Sequence, residues 1–76
     1  MATKPKLVRA NLPGFAAEGH LYRVADQHFV VFTGASRQGW DVCEVGADSI
    51  GFGRTVVRNA TSRQDALERL AQAAAP

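Results

Sequence analysis

The sequence predicts an α+β fold, a small antiparallel sheet of three or four strands packed on one C-terminal helix. Three observations predict it. Short segments rich in β-branched and aromatic residues follow one another from residue 20 to residue 59, with turn-forming residues between them. Residues that start a helix come after them, at positions 61–64. An apolar stripe of helical period follows at once.

Residues 1–18 hold Pro5, Pro13 and the cations Lys4, Lys6 and Arg9 without sustained periodicity, which reads as a basic, largely irregular arm. Residues 19–76 read as one β-meander with a terminal helix. Within it, residues 20–25 form a first strand and residues 28–33 a second, joined by a tight hairpin at Asp26 and Gln27. A loop over residues 34–39 leads to a third strand over 40–45, in which Trp40, Val42 and Glu44 share one face. After a glycine-rich turn over residues 46–53, residues 54–59 supply a fourth.

The helix starts from a capping-box order at residues 61–64. The Thr61 hydroxyl accepts an orphan amide and Gln64 reaches back. Asp65 suits the positive end of the helix. Ala66, Leu67, Leu70, Ala71 and Ala74 then form a narrow stripe, and small side chains let a helix lie close on a sheet.

One helix shields one face of a sheet, yet the second strand is apolar on both sides, Phe29 and Val31 on one and Val30 and Phe32 on the other. Val56 beside Val57 repeats the pattern. The uncovered face must meet either the arm, with Leu7, Val8, Leu12 and Phe15, or another subunit. Val30, Phe32 and Val56 are therefore the expected interface, and a homodimer the expected assembly.

At 76 residues and 8.2 kDa the chain buries only about 62% of its extended surface, too little core for a large substrate cavity. No enzyme is expected, and no cofactor. The net charge of +2 favours an acidic partner only slightly, and seven of the nine cations are Arg, the better fork for phosphate. The single Cys43 excludes an internal disulfide and suits a reducing cytoplasm. No apolar run approaches the roughly 18 residues of a membrane span, and no signal-peptide core opens the chain.

Gly46 and Gly51 have the glycine spacing of a phosphate loop, but Phe52 and Gly53 stand where Lys and Ser or Thr are needed, and a strand follows instead of a helix. His20 and His28 bracket a hairpin and could approach each other, with Cys43 the remaining strong ligand. Structural zinc needs four ligands and catalytic zinc three, so no metal site is expected. Cys43 in mid-strand reads as a small buried hydrophobe. Cations on the sheet are the arrangement that carries function. If Thr55 and Val57 face the helix, Arg54 and Arg58 stand on the opposite face with Val56 between them, and Arg23 joins from the first strand. The plain alternative is a solvated face balanced by Asp41 and Glu44.

Tyr22, Arg23 and Val24, then Gly39 to Val45 with Trp40 leading the strand, then Thr61 with Ala66 and Leu67, give residues 22–70 a pattern that resembles the sheet-and-helix DNA-binding domains of ethylene-response factors and recombinase arms. The chain departs from them in having Ala25, Asp26 and Gln27 where further cations stand, and in its extra apolar strand at 29–32. The resemblance implies a sheet whose inner face packs on the helix and whose outer face reads DNA, with Arg23, Arg54 and Arg58 beside the duplex. Nucleic acid is thus the expected partner, contacted through Arg23, Arg54, Arg58, Lys4, Lys6 and Arg9. The alternative is a protein-interaction module docking through its apolar strand face.

Overall fold

The strands pair in the order in which the chain makes them. The computed structural model describes residues 4–15, 17–34, 38–46 and 52–73. Its elements are β1 (Lys6–Arg9), β2 (Glu18–Val24), β3 (Gln27–Thr33), β4 (Trp40–Val45), β5 (Phe52–Ala60) and the helix α1 (Arg63–Ala73). They form one antiparallel sheet of order β1-β2-β3-β4-β5 with the helix C-terminal to it. The strand count is five, against the three or four that the sequence predicts. The additional strand is β1, drawn from the basic arm. Four residues between Pro5 and the bend at Ala10 are too few to display a period, and all four are exposed, so no apolar alternation marks them.

Residues His20, Tyr22 and Val24 of β2, Phe29, Val31 and Thr33 of β3, and Trp40 and Val42 of β4 share the face that the helix covers. Val57 and Ala60 of β5 close this core from the far edge, and Ala66 and Leu70 fill it from the helix. The turn from β2 to β3 is the pair Ala25 and Asp26, with Ala25 at a φ of 54°, as primed hairpin turns require at their first central position.

Three register shifts interrupt the pairing of β5 with β4. Val42 faces Val57 while the next residue, Cys43, faces Thr55, so Val56 is an extra residue. A second extra residue lies between Val57 and Ala60, where Asn59 adopts a φ of 56° and its amide N–H reaches Asp41 Oδ1 at 2.9 Å. Simple alternation therefore fails on β5. Thr55 shares the outer face with Cys43, their Oγ1 and Sγ 3.4 Å apart, whereas Val56 and Val57 both turn towards the core.

The helix cap is also one residue later than the sequence predicts. Ser62 Oγ accepts the Asp65 N–H at 3.0 Å, and the Ser62 carbonyl accepts the Ala66 N–H at 2.9 Å. Asp65, not Gln64, reaches back, and its Oδ2 accepts both the Thr61 N–H at 3.0 Å and the Thr61 hydroxyl at 3.3 Å. The Thr61 backbone amide holds the Asp65 carboxyl below its ordinary value; desolvation opposes that effect, and the charge of Arg69 adds to the lowering.

The outer face is covered in part by the segment after β1. Phe15 lies over Gly19, where any Cβ would overlap the ring, and packs against Phe32 with ring centroids 5.5 Å apart. Gly14 at a φ of 90° and Asn11 at 55° let the chain turn back onto the sheet. Among the described residues, no helix is long and apolar enough to cross a membrane.

Candidate nucleic-acid interface

The outer face is built of cross-strand rows. Lys6 of β1 stands directly opposite Arg23 of β2, Arg23 opposite His28 of β3, and His28 opposite Val45 of β4. The next row runs Arg9, Leu21, Val30, Cys43 and Thr55. Opposed residues in such a sheet have Cα atoms about 4.5–5.5 Å apart, so Lys6, Arg9 and Arg23 form one cluster. All three are exposed. The recorded ion pairs of the described residues are His20 with Glu18, Arg54 with Glu44 and Arg69 with Asp65, and none involves this cluster. Of the two acids expected to balance the sheet cations, Glu44 does pair with Arg54 at 3.3 Å, while Asp41 accepts the Asn59 backbone N–H and neither meets Lys6, Arg9 or Arg23.

The other cations named from the sequence lie apart. Arg54 sits on the helix side, beside a small cleft lined by Phe29, Val56 and Leu70, because the bulges of β5 turn it there. It does not share a face with Thr55 and does not join Arg23. Arg58 is exposed on β5, three strand spacings from β2, or about 14 Å. Lys4 lines a groove on the helix side with Pro5, Leu67 and Ala71. Sequence reading missed His28 as the third basic member of the Lys6 row. The hairpin register would have placed it there.

Val30, Phe32 and Val56 do not form one surface. Val30 and Phe32 occupy the outer face, the first 3% exposed and the second half-buried against Phe15, while Val56 packs on the core from the helix side. The register also separates the histidines, since His20 points into the helix side and His28 lies on the outer face. They do not approach each other as the hairpin suggested. The Gly46 to Gly51 spacing lies almost wholly outside the described residues.

A groove of about 380 Å³ adjoins the cation cluster, lined by Arg9, Leu12, Pro13, Phe15, Leu21, Val30 and Val45. Its outer wall is pinned, because the Leu12 N–H donates to the Gly19 carbonyl at 2.7 Å and the Asn11 N–H to His20 Nδ1 at 3.1 Å. Comparison of the chain with protein families, with curated proteins and with solved structures finds no match in any of the three.

Proposed function

We propose that this chain is a non-enzymatic binding module that contacts nucleic-acid phosphates through Lys6, Arg9 and Arg23. The observation that carries the reading is the direct opposition of Lys6 and Arg23 with no recorded acidic partner among the described residues. Like charges facing each other across a strand pair oppose sheet formation, and an anionic ligand relieves that repulsion. Charged edge strands also discourage aggregation, which accounts for Lys6 and Arg9 on β1. It does not account for Arg23 on an internal strand. Lys4 and Arg58 extend the positive field, and Arg54, held by Glu44, contributes least. A cytoplasmic setting fits the buried thiol of Cys43.

Titration of labelled DNA at several salt concentrations tests the reading. The Lys6→Ala, Arg23→Ala double variant should weaken binding and flatten the salt slope by about two units. Absence of binding by the wild type at about 50 mM salt, where phosphate contacts are strong, removes the proposal.

One observation favours a second reading, a protein-contact module. Leu7 and Val8 are 54% and 51% exposed on an open edge strand, which suits strand pairing with a second copy or another chain. A homodimer would then sediment at twice the 8.2 kDa chain mass. A monomer at high concentration, unchanged by Val8→Lys, would exclude it.

A further inference from the structure

We infer that the outer face takes single-stranded rather than duplex nucleic acid, seating an unstacked base in the apolar groove beside Arg9. The inference rests on the phosphate-contact reading above. Arg9 belongs at once to the cation cluster and to the groove lining, so a phosphate held there brings its own nucleotide to the groove mouth. The floor is Leu21, Val30 and Val45, and the wall is Leu12, Pro13 and Phe15. These are apolar surfaces that match the face of a base and offer nothing to a phosphate.

A duplex presents phosphates but keeps its bases stacked inside, so it leaves the groove without an occupant. A single strand offers both parts, anionic backbone and free base face, and proteins of this habit join a cationic track to apolar or aromatic platforms. The groove is built before any ligand arrives. Leu12 is tied to Gly19, Asn11 is tied to buried His20, and Phe15 rests where Gly19 has no side chain. Its apolar lining names no hydrogen-bonding edge, so the seat is tolerant of base identity.

The experiment measures anisotropy of a labelled oligothymidylate, its duplex with oligoadenylate, and an abasic strand of equal length, with polyglutamate as competitor. The expected result is oligothymidylate binding about tenfold tighter than the duplex or the abasic strand, the size of one stacked base. Leu12→Gln, in the groove wall and away from the cations, should lower oligothymidylate affinity towards the abasic value without changing the salt slope. The wild-type comparison of the three strands stands even if that variant unfolds. Equal, salt-dependent binding of all three leaves the phosphate reading in place and overturns the base seat. No binding of any strand at about 50 mM salt overturns both. Displacement of the oligothymidylate by polyglutamate at equal charge concentration overturns the inference in favour of an acidic protein partner.

Discussion

The backbone N–H of Asn11 donates to Nδ1 of His20 at 3.1 Å, and the accepting ring is only 2% exposed. That bond ties the segment after β1 to the centre of the sheet. On its other side the ring lies near-parallel to Trp40, centroids 6.5 Å apart, with Arg63 Nη1 3.2 Å and Glu18 Oε1 3.5 Å from Nε2. A neutral imidazole that accepts at Nδ1 carries its hydrogen on Nε2. With the hydrogen on Nε2, Glu18 Oε1 at 3.5 Å is the acceptor within reach, and Arg63 Nη1, itself a donor, cannot donate to that nitrogen. Arm, sheet and helix start thus converge on one buried polar side chain.

His20→Ala should destabilise the protein by about 2–3 kcal/mol, because the Asn11 amide loses its acceptor and Trp40 loses a packed neighbour. Urea unfolding measures the loss. A heteronuclear spectrum of the wild type should show the Nε2–H tautomer, and the Nδ1–H form would contradict the hydrogen bond.

Ser62→Ala should cost about 1 kcal/mol, since Ser62 Oγ satisfies the Asp65 amide at the helix start. Thr61→Ala should cost less, because the Thr61 backbone N–H still reaches Asp65. The reverse order in thermal melts would return the cap to Thr61.

Because the folded-state pKa of Asp65 is lowered, its stabilising effect is fully present above the ordinary carboxylate value and is lost as pH falls through the folded value. Asp65→Asn should therefore flatten the acid limb of stability against pH and leave a smaller deficit at the bottom of it than at neutral pH. The comparison is of melting temperatures for the two proteins along an acid series. An unchanged acid limb would mean that Thr61 and Arg69 do not hold the carboxylate in solution.

Trp40→Ala should destabilise by roughly 3 kcal/mol or more, as expected for a large aromatic buried in a small core. Retained stability with lost ligand binding would move Trp40 from the core to a contact surface.

Gly19→Ala should push Phe15 off the sheet, since the added Cβ overlaps its ring. The expected signs are greater exposure of Phe32 and a destabilisation of about 1–3 kcal/mol, the range for overpacked sites. Wild-type stability would show that the segment over Gly19 moves aside at no cost.

Much of this arrangement was legible in the sequence, and the losses have local causes. The β4 segment from Trp40 to Val45 reads directly as a strand because Trp40 and Val42 alternate with polar Asp41. The Phe29 to Phe32 run reads as a strand apolar on both sides, and indeed Phe29 faces the helix while Val30 is buried on the outer face. Strand β1 was hidden because its exposed residues carry no pattern and its existence depends on the free edge of β2. Arg54 and Arg58 were misplaced relative to each other because bulges leave no mark in composition, and each one reverses the side on which later residues fall. Lys6, Arg9 and Arg23 were visible as cations, but their meeting is a matter of register between segments more than ten residues apart. Ser62 lost to Thr61 on paper because both are hydroxyl caps, and only Asp65 decides between them.

The strictly sequential order of the strands gives the chain a low contact order for a sheet protein, since each hairpin closes with its immediate neighbour. The first strand stands at one end of this series and pairs with β2 alone, while the helix packs on β3, β4 and β5. The unit it forms with the two bonds from Asn11 and Leu12 is therefore expected to open at lower cost than the whole sheet, which native-state amide exchange measures. Lys6 and Arg9 ride on that unit, whereas Arg23 stays with the body of the sheet. A polyanion bridging them would have to select the closed arrangement, and its binding energy would appear as slowed amide exchange along Lys6–Arg9 before any change in the global melt.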